Sequence, residues 1–187
     1  MQKVFLKCNT INKMRDENSV KNSKGQGIAG SSGGKRGNCW YVATMLLGVR
    51  PRSVAEMRKR LLAKRFSVEE VEKTISKCLE FKYLDDKQFA KIVCDSMILR
   101  KNSGKKAIVN KMRNFQLAGD LITQTINEYL PPEKELELAK ETVGKKREQL
   151  KKRGVSEKLW YRRIGQYLMG RGFSGDVVRE ALEDIEG

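Results

Sequence analysis

An internal repeat constrains the fold of this 187-residue chain more than any other feature of its sequence. Five apolar positions recur after 51 residues and again after a further 56. Within each copy, spacings of four residues on either side of a short break indicate two amphipathic helices joined by a tight turn. One such hairpin cannot bury its apolar side chains alone, so the copies should pack on each other or on a further helix. The three sets are Met57, Leu61, Phe66, Val71 and Ile75; Ile108, Met112, Leu117, Ile122 and Ile126; and Ile164, Leu168, Phe173, Val178 and Leu182.

A third helical segment precedes each hairpin. Phe89-Ala90 aligns with Leu138-Ala139 at a shift of 49, so the third copy carries seven extra residues. Seven residues are about two helical turns and keep the apolar side chains on one face, so we expect a longer helix rather than a longer loop. Alternating β-branched runs and Asn-Gly turns are absent from the sequence. The sequence therefore predicts an all-α fold of three tandem three-helix repeats, at 39–84, 85–132 and 133–187.

Two adjacent aspartates, Asp85 and Asp86, are candidates for a catalytic or metal-binding pair. The residues around them indicate the start of a helix instead. Asp85 suits the N-cap position, Gln88 completes a capping box three residues later, and Asp86 in the first turn is favoured by the helix dipole. Similar N-terminal signals recur where Ser53 and Ser67 are each followed three residues later by a glutamate. We therefore assign the aspartate pair to helix initiation.

The residues that most enzymes depend on are missing or scattered. The chain has no histidine, no phosphate-binding glycine-rich loop of the G-x-x-x-x-G-K type and no G-x-S-x-G motif. Its four cysteines are too widely spaced for an ordinary zinc site and indicate free thiols in a reducing compartment. Glu69, Asp120 and Asp176 occupy equivalent positions in separate repeats rather than one site. We expect no catalysis, no metal, no cofactor and, without an apolar run of about 20 residues, no membrane span.

The charge points to a polyanionic partner: nucleic acid, an acidic protein face or an anionic membrane surface. The net charge is +16, and it separates by helix. The middle helices carry +4, +4 and +3, whereas the last helices carry −1, −2 and −4. If the repeats stack in register, the middle helices lie side by side and form a continuous basic stripe. The candidate residues of this basic stripe are Arg58, Lys59, Lys105, Lys106, Lys111, Arg113, Arg162 and Arg163.

Two further features bear on the partner. Residues 1–38 carry eight basic and two acidic side chains and end in a stretch rich in glycine and serine, which predicts a disordered basic N-terminal tail. Trp40, Trp160 and Tyr161 fall at helical spacing and are expected to line the core or a groove rather than to stack on bases. Direct DNA binding would then rest on phosphate contacts and depend strongly on salt.

Three sequence motifs carry a resemblance to a known family. "RPRSVAEMRKRL" (50–61), "YLDDKQFA" (83–90) and "MGRGFSGDVVREAL" (169–182) occur in that order within the tandem repeats. Over 39–186 the chain resembles RecX, a family of small regulatory proteins that bind the RecA recombinase. The resemblance implies an elongated, curved helical array that lies as a monomer in the groove of the RecA–single-stranded-DNA filament. It also implies inhibition of strand exchange and of the filament's ATPase activity, in a bacterial cytoplasm or in an organelle with a bacterial-type recombinase.

The chain departs from the family pattern at three positions where glycine is usual. Lys82 precedes the Tyr-Leu-Asp-Asp sequence, and Arg65 and Gln116 stand between the middle and last helices of the first two repeats. If these residues adopt the left-handed conformation that ends a helix, each costs about 1 kcal/mol relative to glycine. The alternative to a recombinase regulator is a basic helical module that binds nucleic acid directly.

Overall fold

A computed structural model describes residues 38–183, with residue 101 described by its backbone alone. All regular secondary structure in this part of the chain is helical, which confirms the predicted all-α class. The chain divides between Asp85 and Asp86 into two compact units, called here the first unit and the second unit. The predicted basic tail lies, apart from Asn38, outside the described residues.

The described residues of the first unit form three helices, each of which packs against the other two. The hydroxyl of Ser53 accepts a hydrogen bond from the backbone N–H of Glu56 and so caps one helix. Ser67 and Glu70 form a reciprocal capping box at the start of the next, as the sequence predicts. The apolar faces of the three helices meet around Met57, which is fully buried. The helices are α1 (Cys39–Val49), α2 (Val54–Ala63) and α3 (Val68–Glu80).

The second unit contains two groups of three helices that share one hydrophobic core. Helices α4, α5 and α6 pack against one another, and so do α7, α8 and α9. Helix α4 begins at Asp86, so Asp85 takes the position immediately before it, as predicted. The helices are α4 (Asp86–Lys101), α5 (Lys105–Asn114), α6 (Gly119–Tyr129), α7 (Pro132–Lys152), a 3₁₀ turn (Glu157–Leu159), α8 (Trp160–Gly170) and α9 (Gly175–Leu182).

The repeated apolar positions form the cores of both units. Fourteen of the fifteen predicted residues are buried, and Phe66 is half-buried against the first core. Phe89-Ala90 and Leu138-Ala139, the aligned pairs of the preceding helices, are buried as well. In each repeat, the acidic residue two positions before the fourth apolar position lies in the first turn of a helix, where the helix dipole favours it. These residues are Glu69, Asp120 and Asp176.

Residues other than glycine end several helices in the left-handed conformation. Arg65, Lys82 and Gln116 have φ angles of 63°, 55° and 56°. These are the three positions where the sequence lacks the glycine usual in the family, and all three residues take the left-handed conformation. Gly172 takes the equivalent position after α8 with a φ of 85°. Glycine lowers the cost of this conformation because it has no Cβ.

The seven extra residues of the third repeat mostly lengthen a connection, so the expectation of a longer helix was largely wrong. Helix α7 continues for 14 residues after Leu138, whereas α4 continues for 12 after Phe89, so two of the seven extra residues lengthen the helix. The other five lie between the end of α7 and Ile164. The helix ends because Gly154 turns left-handed, with a φ of 66°. The N–H of Val155 then donates back to the Leu150 carbonyl, and the Trp160 indole donates to the Val155 carbonyl.

Candidate partner-binding surface

Helix α5 begins at a tight junction, called here the α5 junction. The N–H of Gly104 donates to the carbonyl of Arg171, and the N–H of Lys106 donates to that of Gly172, both at 3.0 Å. Between them, the N–H of Lys105 donates to Oε1 of the buried Glu135 at 2.8 Å. These three N–H groups at the helix start are therefore satisfied inside the protein. Any anion held here must bind side chains rather than the helix terminus.

Helix α5 carries four of the predicted residues of the basic stripe. Lys105 and Lys106 stand in its first turn, and Lys111 and Arg113 stand in its last. All four side chains are exposed, while Ile108 and Met112 on the opposite face are fully buried. The Lys111 ammonium lies 5.0 Å from the centre of the Phe115 ring, a weak cation–π contact that leaves the charge at the surface.

The predicted side-by-side arrangement of middle helices does not hold within the second unit. Helices α5 and α8 meet at their ends, because the start of α5 is hydrogen-bonded to the turn after α8. Arg162 and Arg163 are exposed near the other end of α8. At 1.5 Å per residue, Arg163 is about 12 Å along the helix axis from Arg171. The predicted stripe residues of the second unit therefore fall into two groups, one on α5 and one near the start of α8.

Three cations that the basic stripe omits, two on α7 and one directly after α8, stand beside aromatic rings of α8. Lys146 and Arg171 lie 4.5 Å and 5.0 Å from the centre of the Tyr167 ring, and Arg147 lies 5.5 Å from that of Trp160. Lys146 and Arg147 belong to the segment "GKKREQLKKR", whose excess charge was visible in the sequence. Their proximity to α8 was not visible, because it depends on how α7 packs. The basic surface of the second unit thus includes α7.

The two predicted residues of the first unit differ in their surroundings. Arg58 holds Glu72 of α3 with two hydrogen bonds, from Nε at 2.5 Å and from Nη2 at 3.0 Å. That pairing raises the pKa of Arg58 and lowers the pKa of Glu72, since each charge stabilises the other. Lys59 is exposed beside it. Arg58 is therefore largely committed to an internal ion pair, and Lys59 is the better placed of the two for an external anion.

The first unit also gathers an arginine cluster that the predicted stripe omits: Arg50, Arg52 and Arg60 around Glu56. All three guanidinium groups donate to the same oxygen, Oε1 of Glu56, over 2.5–2.8 Å. Arg52 is buried and also donates from Nε to the Leu46 carbonyl. Burial raises the pKa of Glu56, but hydrogen bonds from Arg60, Arg50 and Arg52 outweigh it and leave that pKa lowered. The sequence signal was the Arg-Pro-Arg run followed by Glu56 and Arg60 at helical spacing.

The aromatic residues play mainly structural parts. Trp160 is buried, as expected of a core residue. Trp40 packs against Phe81 and Tyr83 with ring centres 6.1 Å and 5.9 Å away, and the Lys77 ammonium lies 4.6 Å over its ring. Tyr161 is exposed beside Arg162. Within residues 38–183 the tryptophans therefore offer no open platform for stacked bases.

Within the same described part, no three His, Cys, Asp or Glu side chains are grouped closely enough to hold a metal ion. No helix there is both long and apolar enough to cross a bilayer. Cys39, Cys78 and Cys94 are buried free thiols, in agreement with the sequence prediction. Burial raises the pKa of Cys78 and of Cys94 to about 11, so both stay protonated and unreactive near neutral pH.

Tandem three-helix units that display arginines and lysines on their surfaces define a class of all-helical repeat proteins. Residues 39–78 match the family model for the first three-helix domain of RecX, and residues 133–182 match that for the third. A regulatory protein RecX of Pelodictyon phaeoclathratiforme is 33% identical over 75% of this chain and 84% of its own length. One of Vibrio vulnificus is 29% identical over 79% and 92%. The chain belongs to the RecX family of regulatory proteins.

Solved structures show the same fold. The crystal structure of RecX from Lactobacillus salivarius superimposes with a TM-score of 0.68, covering 79% of this chain and 94% of that one, at 17% identity. A second crystal structure, of a regulatory protein RecX, gives a TM-score of 0.64 at 23% identity. At these identities the likeness concerns the fold alone.

Proposed function

We propose that this protein binds RecA–single-stranded-DNA filaments in their groove and inhibits strand exchange and ATP hydrolysis, so that it regulates recombination and DNA repair. Membership of the RecX family is the observation that carries the proposal. The protein would act as a monomer in the bacterial cytoplasm, without a cofactor. Each three-helix repeat, at 39–84, 85–132 and 133–187, would contact the filament as one module.

The charges of the described residues support a polyanionic target of this kind. Exposed cations occur on α5, α7 and α8, while the last helices of the repeats are acidic. A filament of recombinase protein on single-stranded DNA offers both acidic side chains and phosphates. Complementary charge of this kind speeds association and fixes orientation more than it adds affinity. We therefore expect inhibition to weaken as salt increases.

The test is ATP turnover by a preformed RecA–single-stranded-DNA filament while the protein is titrated in. Binding of the protein to DNA alone is measured in the same buffer. We expect turnover to fall at well below one molecule per RecA protomer, without strong competition for DNA. Turnover that falls only when the protein sequesters the DNA, or does not fall at all, contradicts the proposal.

A charge-reversal variant tests the basic residues of α5. Changing Lys105, Lys106, Lys111 and Arg113 together to glutamate should weaken inhibition about tenfold or more, because four cations facing the target become anions. All four side chains are exposed, so the fold should persist, which circular dichroism checks. A matched variant reverses four exposed cations elsewhere in the second unit, Lys151, Lys152, Arg153 and Lys158. Equal losses in both variants would mean that only the total charge matters.

The second candidate function is direct nucleic-acid binding without a recombinase. The observation in its favour is the group of exposed lysine and arginine side chains on α5, together with a net charge of +16. Phosphate-driven binding would show a steep dependence of affinity on salt and little sequence preference. Tight binding to DNA with that salt slope, and no effect on RecA, would favour this candidate over the first.

A further inference from the structure

Helix α1 has a second apolar face that the first core does not use. Cys39, Ala43 and Leu47 point into the core and are buried. On the opposite side, Tyr41, Met45 and Val49 follow one another at intervals of four residues and are 47%, 41% and 77% exposed. These three residues are called here the second face of α1. The helix has no charged residue, and a helix that is apolar all round is normally covered on every side.

The second face of α1 runs into the arginine cluster. Val49 is its last residue, and Arg50 follows directly, with its guanidinium on Oε1 of Glu56. The cluster is tied to the same end of α1, because buried Arg52 donates to the Leu46 carbonyl. These three guanidinium groups and one carboxylate carry two net positive charges. Arg60 donates to Glu56 from Nε, and its side chain is 48% exposed.

An aromatic ring, a methionine and arginines side by side are the composition of a protein–protein contact. Tyr, Met and Arg are enriched in such contacts, whereas lysine and acids are depleted. We propose that the second face of α1 and the arginine cluster form one docking surface for a protein segment that carries carboxylates next to apolar side chains. This inference rests on the proposed function, in that the segment belongs to the recombinase filament.

The chemistry of the surface favours a protein over the other occupants. DNA phosphates could bind the arginines, but they offer nothing to Met45 and Val49, whose burial would contribute about 25 cal/mol for each Å² of apolar surface. A second copy of this surface would bring two arginine clusters, each with two net positive charges, towards each other. An acidic and apolar segment satisfies both parts at once, since its carboxylates match the guanidinium groups while its apolar side chains cover the helix.

The test measures equilibrium binding of fluorescently labelled protein to a preformed filament, made from single-stranded DNA and the RecA of the organism that encodes this chain. The double variant Met45→Gln, Val49→Gln removes the apolar part, and glutamine keeps a high helix propensity. We expect at least about tenfold weaker binding, typical of the loss of central contacts. Arg60→Gln should weaken binding about fivefold, because a charge at the edge of a contact matters less than its centre.

Each variant has a matched control. Leu99→Gln with Met169→Gln replaces two exposed apolar residues on α4 and α8. Arg179→Gln replaces an exposed arginine on α9, outside both the basic stripe and the proposed surface, whose Nη2 lies 3.7 Å from Oδ1 of Asp176. Both controls should bind the filament within about threefold of the unchanged protein, since neither touches the proposed surface.

Three results would overturn the inference while leaving the proposed function intact. The first is unchanged filament binding by both test variants. The second is an equal loss of binding to single-stranded DNA alone, which would identify nucleic acid as the occupant. The third is sedimentation of the unchanged protein as a dimer that the double variant dissociates, which would identify a second copy. If the unchanged protein does not bind the filament, the proposed function fails and this inference fails with it.

Discussion

Glu56 in the first unit and Glu135 in the second each accept hydrogen bonds at a place where helices meet, called here the first corner and the second corner. The donors at the two corners are of different kinds. Glu56, in the first turn of α2, accepts hydrogen bonds from three arginine side chains. Glu135 accepts one from the backbone N–H of Lys105 at the start of α5. The first corner is therefore built from long side chains, and the second from backbone groups.

The difference distinguishes a surface of arginine side chains, which can change conformation, from the α5 junction, whose backbone is fixed. Arginine side chains can change rotamer to follow a partner, whereas the backbone hydrogen bonds of the α5 junction fix α5 against the turn after α8. Gly104 and Gly172 make that joint so close that a Cβ on either would meet backbone atoms within 2.5 Å. We therefore expect substitutions at the α5 junction to affect folding, and substitutions of exposed arginines in the first corner to affect binding.

The largest effect should come from Gly172→Ala. A Cβ at this position would lie 2.4 Å from the backbone nitrogen of Ala107, and the φ of 85° is unfavourable for any residue with a Cβ. Together these costs should lower the free energy of unfolding by about 3–4 kcal/mol. The measurement is chemical denaturation followed by circular dichroism. Gly170→Ala is the control, because nothing lies within 4 Å of its Cβ, and a similar loss there would contradict the close contact.

Glu56→Gln should have the next largest effect. The change leaves buried Arg52 without its carboxylate and removes the charge shared by Arg50 and Arg60. Loss of one partner from a fully buried ion pair costs about 3–5 kcal/mol, and the exposure of the two outer arginines reduces our expectation to about 2–3 kcal/mol. Glu72→Gln removes the exposed partner of Arg58 and should cost less than about 1 kcal/mol. Equal losses for the two variants would show that Arg52 does not depend on Glu56.

The same carboxylate should make the first unit sensitive to acid. The pKa of Glu56 is lowered in the folded state, so the group stabilises the fold above its unfolded pKa, and this contribution is lost as pH falls through the folded value. With an ordinary glutamate pKa of about 4.3, the loss should begin below roughly pH 4. Melting temperatures between pH 7 and pH 2 measure it. The gap between the unchanged protein and Glu56→Gln should narrow towards low pH, and a constant gap would refute the assignment.

The two corners also show how far the sequence could predict this molecule. Apolar spacing predicted the buried positions because burial follows helical periodicity, as at Met57, Ile108 and Ile164. Capping at Ser67 was predictable because it depends on neighbouring residues, whereas the left-handed turn at Gln116 was expected only from the family resemblance. The contact between Glu135 and Lys105 spans 30 residues and follows no local pattern.

The candidate surface was predictable to a smaller extent. The sequence indicated which helices are basic, but the use of a cation depends on its neighbours in three dimensions. Arg58 could not be distinguished from Arg60 in the sequence, yet Glu72 of α3 holds the first and Glu56 the second. The end-to-end contact of α5 and α8 was equally hidden, because it requires the close approach of Gly104 to Phe173.

A smaller loss is expected at the second corner from Glu135→Ala. The carboxylate accepts a hydrogen bond from the N–H of Lys105 and places a negative charge at the start of α5, where the helix dipole favours it. Its removal should cost about 1 kcal/mol, as for the loss of an N-cap side chain. Denaturation of Glu137→Ala, which changes an exposed glutamate two residues on, is the control. A loss above the one at Glu56 would reverse the comparison between the two corners.

The smallest effect, and the only stabilising one, should come from Gln116→Gly. Gln116 turns left-handed after α5 as Gly172 does after α8, but its side chain is exposed. Glycine there should relieve the conformational cost and raise the free energy of unfolding by up to about 1 kcal/mol, less the extra entropy it gives the unfolded chain. Gln124→Gly in the middle of α6 should instead destabilise by about 1 kcal/mol. If both glycines destabilise equally, the left-handed turn carries no strain, and Gly172 is required only by its contact with Ala107.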